Sequence, residues 1–307
     1  FTRIKMKKII AGLLLAISNL VYAQSQLIQV IVPNPPGGVV DLYGRALARV
    51  INETNPNINA IVVNRPGADG KIGVRHFLDN SLKQDMILVA ATGPILFNKV
   101  FSKKLDYDFQ DFSFVLPLGT TPIALAVNKN SGITNVGELV KYAEKKPLNC
   151  AGGSSAIVFA GKMFMQQLQV SNVEFIPFKG TGDLLPAFMS GAIDCMFDPI
   201  PTIPQNDRTR LLAVSSTTKW PDNPDLPLFS DSVPNFTFNL FYGFAVNSKL
   251  PAEDKQRLLS IINNASKTNQ WLNGQPKGVL PATPVKDSQQ WLEQRYNSYE
   301  RVRKSLN

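Results

Sequence analysis

From Leu27 onward, short apolar runs alternate with amphipathic segments, and this alternation is the strongest constraint on how the chain can fold. Strand-like runs at 27–32 and 60–64 enclose the segment 41–52, whose apolar residues recur every three or four positions. That spacing lines one face of a helix, whereas a continuous apolar run such as 86–91 is typical of a strand buried on both faces. Strand, helix and strand in succession predict a parallel sheet.

The same pattern restarts in the second part of the chain. Further strands are predicted at 123–127, 148–151, 173–177, 192–197, 211–215 and 242–246, with helices from about 134 and at 160–168, 183–190, 251–267 and 284–305. The last two helices bring no strands of their own, so we predict a discontinuous first lobe, 24–124 and 243–307, and a second lobe, 125–242. Two antiparallel crossing strands between the lobes would act as a hinge.

The N-terminus has the three regions of a secretory signal peptide. Met6 is followed by the basic pair Lys7 and Lys8 and by an apolar run at 9–17, and Ala23 stands at the expected cleavage point. Nine apolar residues are too few to cross a bilayer of about 30 Å. We predict that residues 6–23 direct export to the periplasm, with 1–5 as an upstream extension. The alternative is a buried or amphipathic first helix, which the absence of a polar face disfavours.

Charge and composition exclude several classes of partner. Residues 1–23 hold four basic residues and no acidic ones, so the formal charge falls from +9 to +5 without them. The remaining basic residues are scattered and are not interleaved with aromatics, so we expect no nucleic-acid partner. His76 is the one histidine, and no Cys/His grouping has the spacing of a zinc site. Nucleotide-binding glycine motifs are also missing, so we predict no metal and no cofactor. We also expect the protein to be a monomer.

The cysteines Cys150 and Cys195 each lie in an apolar, strand-like run. An oxidising compartment would permit them to pair. We interpret them instead as two buried thiols that pack as small apolar side chains, because the sequence cannot supply the Cα separation that a disulfide requires.

Loops rich in glycine and hydroxyl residues follow four of the predicted strands. In an open α/β sheet the ligand crevice lies beyond the carboxyl ends of the strands, where the amides at helix starts attract anions. Free amides and hydroxyls suit a carboxylate, although the first loop can also be an ordinary turn with a capping aspartate. The candidate ligand-binding residues are Pro36, Gly37, Gly38, Val39, Val40 and Asp41 in the first loop, Thr92, Gly93 and Pro94 in the second, Ser154, Ser155 and Ala156 in the third, and Lys179, Gly180 and Asp198 after later strands.

Several motifs resemble one family along nearly the whole mature chain. They are the run V-N-R-P-G-A-D-G-K-I-G at 63–73, P-P-G-G-V-V-D at 35–41 and P-F-K-G at 177–180. These are similar to the solute-binding receptors of tripartite tricarboxylate transporters, often called Bug-type receptors. The resemblance implies an α/β type II periplasmic-binding-protein fold with two lobes, a ligand cleft and two crossing strands as hinge. It also implies a small carboxylate ligand held by loop amides, hydroxyls and waters, membrane transporter subunits as partners, and no catalysis.

The chain departs from the family pattern at two places. Val39 and Val40 stand where hydroxyl residues are usual, and Ile157 with Val158 replaces a polar pair. Our hypothesis is a ligand less polar than citrate, such as a monocarboxylate with an aromatic or aliphatic body, although a di- or tricarboxylate or an amino acid stays open. The alternative is that these side chains face the core. Asp198 would repel an anion, so it could accept a hydrogen bond from a ligand ammonium or hydroxyl group.

Two other functions remain as alternatives. The same fold could serve as the ligand-sensing input of a sensor kinase, which the sequence does not separate from transport. A secreted hydrolase is disfavoured because the Gly-x-Ser-x-Gly pattern is absent and His76 lies far in sequence from Ser154 and Ser155.

Overall fold

The structure, a computed structural model, describes residues 25–102, 104–178 and 180–305. The predicted signal peptide, the upstream extension and the candidate ligand-binding residue Lys179 lie outside the described residues. No helix in the described part of the chain is both long enough and apolar enough to cross a membrane.

The described residues form ten strands and ten α-helices. The strands are β1 (Gln26–Val32), β2 (Ile58–Asn64), β3 (Met86–Ala91), β4 (Phe112–Asn128), β5 (Leu148–Gly152), β6 (Val173–Pro177), β7 (Cys195–Pro199), β8 (Thr209–Val214), β9 (Asn239–Asn247) and β10 (Leu280–Pro281). The helices are α1 (Val39–Thr54), α2 (Lys71–Asn80), α3 (Asn98–Phe101), α4 (Val136–Lys145), α5 (Ser155–Gln167), α6 (Thr181–Met189), α7 (Phe229–Ser232), α8 (Ala252–Ala265), α9 (Asn269–Asn273) and α10 (Ser288–Ser305).

The strands join in the order β2-β1-β3-β9-β4-β7-β5-β6, and β8 and β10 also pair with β4. The long strand β4 belongs to both halves of this assembly. Its residues between 112 and 122 pair with β9, whereas 123–128 pair with β7 and β8. Lobe 1 is built on β1, β2, β3, β9, β10 and the first part of β4, and lobe 2 on β5, β6, β7, β8 and the last part of β4.

Burial explains why the sequence forms these elements. Every residue of β3 is buried, as expected for a strand covered on both faces. On α1, the side chains of Tyr43, Leu47, Val50 and Ile51 are 0% exposed and form the apolar face predicted from their spacing. This face packs against the lobe 1 sheet and fixes the start of α1 beyond the end of β1.

The strands β3 and β6 have the bounds predicted from the sequence, but the predicted bounds of other elements were wrong. The strand predicted at 123–127 is the end of the 17-residue β4. Its first part contains Pro117 and a shift of register between Val115 and Gly119, so it lacks the regular pattern of a strand. The helix predicted at 160–168 begins at Ser155, and the C-terminal region does contribute a short strand, β10. The predicted lobe limits at 124 and 243 stay predictions.

The interpretation of the cysteines as free thiols was wrong. Cys150 and Cys195 form a disulfide, with a Cα–Cα distance of 4.6 Å. The two residues are direct partners in the register of the parallel strands β5 and β7. Their separation therefore follows from the strand pairing, which the sequence does not reveal.

Candidate functional site

The first loop, between β1 and α1, is anchored by the buried carboxylate of Asp41, which is 1% exposed. Asp41 Oδ2 accepts hydrogen bonds from the Gly37 amide at 2.9 Å and from Arg45 Nε at 2.8 Å. Asp41 Oδ1 accepts from Asn64 Nδ2 at 2.8 Å, and the same nitrogen donates to Asn34 O at 3.1 Å. Asp41 thus joins the loop to α1 and to the end of β2.

The charge of Asp41 is stabilised where it lies. Burial acts to raise the pKa of this carboxyl, but the hydrogen bonds from Arg45, Gly37 and Asn64 outweigh burial and lower its pKa below the ordinary value. Asp41 is therefore ionised at neutral pH and already engaged by three donors.

The start of α1 leaves backbone amides without a side-chain cap. Gly38 is the N-cap residue, and no side chain accepts a hydrogen bond there. Pro36, Gly37 and Gly38 are exposed, and a Cβ atom added at either glycine would meet nothing within 4 Å. The first-turn amides at Val39 and Val40 consequently begin a 16-residue helix whose dipole favours an anion.

The second loop is fixed by lobe 1 itself. Thr92 Oγ1 accepts from the Phe241 amide at 2.6 Å and donates to Phe241 O at 3.3 Å, so this hydroxyl joins β3 to β9. The carbonyl of Pro94 accepts from Tyr107 Oη at 2.6 Å. Gly93 is half-buried, and a Cβ atom there would meet open space.

The third loop joins β5 to α5. Ser154 is the N-cap residue of α5, and its hydroxyl accepts from the Ile157 amide at 3.4 Å. Ser155 and Ala156, predicted as loop residues, form the first turn of this helix; Ser155 is half-buried and Ala156 is 1% exposed. Gly153 has no room for a side chain, because a Cβ atom would lie 2.8 Å from Asp198 Oδ1 and would also overlap Thr181.

Asp198 anchors the loops of lobe 2 from the end of β7, and its side chain is fully buried. Asp198 Oδ2 accepts from Thr202 Oγ1 at 2.8 Å, and Oδ1 has no well-aligned donor among the described residues. Burial raises the pKa of Asp198 to about 6, against the opposing effect of hydrogen bonds from Thr181, Thr202 and the Gly153 amide. Burial raises the pKa of Tyr242 on β9, and the charge of Asp198 adds to this effect.

The remaining candidate residues divide between cleft and core. Gly180 caps α6 without a side-chain hydrogen bond, and a Cβ atom there would meet nothing within 4 Å. Val39 and Ile157 are 8% and 4% exposed and pack into the apolar core, as the alternative for these residues expects. Val40 and Val158 are half-buried, so the hypothesis of a less polar ligand now depends on these two side chains.

The two lobes touch beside the loops through aromatic side chains. Phe159, one turn into α5, contacts Phe97 at a ring-centroid distance of 5.4 Å and Phe101 at 5.2 Å. Both partners follow the second loop of lobe 1. A second contact joins Gly278 to Pro201 of lobe 2, where a Cβ atom added at the glycine would overlap the proline ring. The structure therefore holds the lobes in contact.

Sequence reasoning missed the residues that hold the loops in place. Asn64 lies in the motif at 63–73, and its bond to Asp41 joins residues 23 positions apart. Thr181 follows Gly180 directly, so a hydroxyl next to a predicted site glycine was an available signal. Nothing in the sequence near Thr202 indicated that its hydroxyl donates to Asp198.

Comparisons with known proteins agree with this architecture. The family described as the tripartite tricarboxylate transporter family receptor matches residues 47–295. The protein in the tcbD-tcbE intergenic region of Pseudomonas sp. (strain P51) is 26% identical over 276 residues, which cover 84% of this chain and 81% of that protein.

Solved structures share the fold at low sequence identity. An R. palustris protein solved with adipate superposes with a TM-score of 0.82 at 22% identity, covering 92% of this chain and 97% of that one. MatC from Rhodopseudomonas palustris, solved with malate, gives 0.78 at 21% identity, covering 90% and 98%. These likenesses confirm the two-lobed α/β periplasmic-binding-protein fold. Because the family match spans most of its length, this chain belongs to the tripartite tricarboxylate transporter receptor family, the Bug-type solute-binding receptors.

Proposed function

We propose that this chain is a periplasmic receptor that closes its two lobes on a small carboxylate and presents it to the membrane subunits of a tripartite transporter. The observation that carries the proposal is the set of glycine-started helices at the strand ends of both lobes. Gly38 and Gly180 cap α1 and α6 without any side-chain acceptor. Amides left free at helix starts bind carboxylates well because they combine directed donors with the helix dipole.

Hydrogen bonds within the protein reduce the number of groups in the loops that are free to bind a ligand. The Gly37 amide donates to Asp41, and the Thr92 hydroxyl bonds twice to Phe241, so both groups are already occupied. We therefore assign ligand contact to the amides of the α1, α5 and α6 first turns, with the Ser155 hydroxyl and the Gly93 backbone beside them. Asp41 and Asp198 hold these loops in position from below.

Two relatives support a dicarboxylate as the first class to test, since their structures carry adipate and malate. Titration calorimetry of the mature protein with adipate, malate, citrate, hexanoate and dimethyl adipate tests the proposal. We expect at least one of the four acids to bind and the uncharged diester not to bind. Equal binding of the diester, or no response to any acid, would contradict carboxylate capture.

The same panel tests the valine hypothesis. Val40 and Val158 add apolar surface and no side-chain donor, so we expect adipate or hexanoate to bind more tightly than citrate. Tighter binding of citrate would assign these two side chains a packing role only.

A pair of variants isolates the proposed amide contact. Val39 occupies the first position of α1, where proline is tolerated and removes only an amide that the helix itself does not use. We expect Val39→Pro to weaken binding of the best acid at least tenfold relative to Val39→Ala, because an amide–carboxylate hydrogen bond contributes about 1.5–3 kcal/mol. The alanine variant is the matched control, since it loses the same side chain and keeps the amide.

A further inference from the structure

One serine lies where the two chain segments that connect the lobes pass each other. The strand β4 changes partners next to Ile123: Pro122 is opposite Asn239, the first residue of β9, and Ala124 is opposite Val214, the last residue of β8. Ser215 follows β8 directly and is 0% exposed. It therefore occupies the junction at which β4 leaves lobe 1 and enters lobe 2.

The side chain of Ser215 bonds to both connecting segments. Its hydroxyl oxygen accepts from the Ile123 amide at 2.9 Å and its hydroxyl hydrogen is donated to Phe238 O at 2.5 Å. Its own amide donates to Ile123 O at 2.8 Å. Without this hydroxyl, the buried Ile123 amide and one acceptor site at Phe238 would have no partner here, which is unfavourable inside a protein.

This arrangement constrains how the lobes move. Rotation of one lobe against the other must change backbone angles where the connecting segments cross, next to Ile123 and Phe238. A single hydroxyl can hold both groups only over a narrow range of relative positions, because hydrogen bonds weaken steeply with angle. In the structure both bonds are made while the lobes are in contact through Phe159 and Phe97.

We propose that Ser215 is a positioning residue of the hinge, whose hydroxyl ties the two connecting segments together in the closed arrangement and so slows ligand release. This inference rests on the proposed function, because it presumes that closure traps a ligand. Ser215 itself lies in the hinge and is not among the proposed ligand contacts.

The kinetic test uses adipate as the probe and Ser215→Ala as the variant. We expect adipate to dissociate about tenfold faster, with an association rate within about twofold of the wild type, since the bonds act after encounter. Ser216→Ala is the matched control: this neighbour is also buried, but among the described residues its hydroxyl accepts from the nearby Thr218 amide and bonds to neither connecting segment, so we expect no change. Ser215→Thr, which restores a hydroxyl, should recover most of the slow dissociation.

A second measurement keeps the inference separate from the choice of ligand. Small-angle X-ray scattering of the ligand-free protein should show a larger radius of gyration for Ser215→Ala than for the wild type and Ser216→Ala. If adipate does not bind the wild type, the dicarboxylate proposal is contradicted and scattering alone decides the role of Ser215.

Unchanged scattering together with unchanged adipate dissociation would overturn the hinge role. If Ser215→Ala does not fold, Ser215→Cys carries the same expectations, because a thiol is of similar size and bonds weakly.

Discussion

Each lobe places a buried aspartate beneath its glycine loop, yet the two carboxylates have opposite electrostatic surroundings. Asp41 in lobe 1 accepts from the Gly37 amide and from Arg45, and its pKa is lowered. Asp198 in lobe 2 interacts with the Gly153 amide and two threonines, no cation opposes it among the described residues, and its pKa is raised to about 6. Both carboxylates thus anchor a loop, but the fold stabilises the charged form of Asp41 and disfavours the charged form of Asp198.

The difference shows that anchoring a loop does not require a stable ion. Lobe 1 gains its anchor from charge-assisted bonds, whereas in lobe 2 full burial works against ionisation of the anchor. In lobe 2 the disulfide of Cys150 and Cys195 adds a covalent link, because it joins β5, which ends directly before Gly153, to β7, which contains Asp198.

Of the features compared, the disulfide in lobe 2 should make the largest contribution to the free energy of unfolding. Its cysteines are 45 positions apart, and closing a loop of that length in the unfolded chain stabilises the native state by about 4 kcal/mol. We expect Cys150→Ala/Cys195→Ala to lose roughly that free energy of unfolding, measured by urea denaturation. Each single variant should lose nearly as much as the double variant, since either one removes the bond. Additive losses from the two single variants would contradict a contribution from the cross-link.

Asp198 should make lobe 2 less stable as pH rises. Its folded-state pKa of about 6 lies above the ordinary value of 3.8, so its contribution is fully present below about pH 4 and is lost as pH rises to about 6. The change is on the order of 3 kcal/mol. Relative to the wild type, Asp198→Asn should therefore gain stability between pH 4 and pH 7 in urea denaturation. A difference between the two proteins that does not vary with pH would contradict the raised pKa.

Asp41 should behave in the opposite way. Its pKa is lowered, so its contribution is present above about pH 4 and is lost as pH falls below that value. Asp41→Asn at pH 7 should cost about 2 kcal/mol, because an amide cannot accept from all three donors. The control is Arg45→Ala. Because the Arg45 side chain is half-exposed, this change should lower the free energy of unfolding by less than about 1 kcal/mol. Equal losses would assign the effect to the ion pair alone.

The backbone conformation of the first loop should make the smallest contribution to stability. Gly37 has a φ of +87°, a conformation that costs a residue with a side chain about 1 kcal/mol. Gly38 has a φ of −79° and open space at its Cβ position. We expect Gly37→Ala to lower the thermal midpoint and Gly38→Ala to leave it nearly unchanged. If Gly38→Ala lowered the thermal midpoint more than Gly37→Ala, the positive φ of Gly37 would not be the feature that determines the conformation of this loop.

Local patterns in the sequence predicted the parts of the fold that local physics determines. The period of α1 and the apolar run of β3 follow from burial on one or both faces, and glycines after strands located the loops. The disulfide depended on the register of β5 against β7, and the full length of β4 depended on partners more than a hundred residues away. The role of Asp41 required Asn64 at the end of another strand. Such long-range pairings leave no periodic signal.

The passage of β4 through both lobes also bears on how the molecule unfolds. One continuous strand of 17 residues pairs with β9 and β10 in the lobe 1 sheet and lies between β7 and β8 in the lobe 2 sheet. Melting either sheet would disturb the strand that the other sheet pairs with and expose backbone groups there. The two halves should therefore unfold in a single cooperative transition, and neither half should persist as an autonomous domain when the chain is cut within β4.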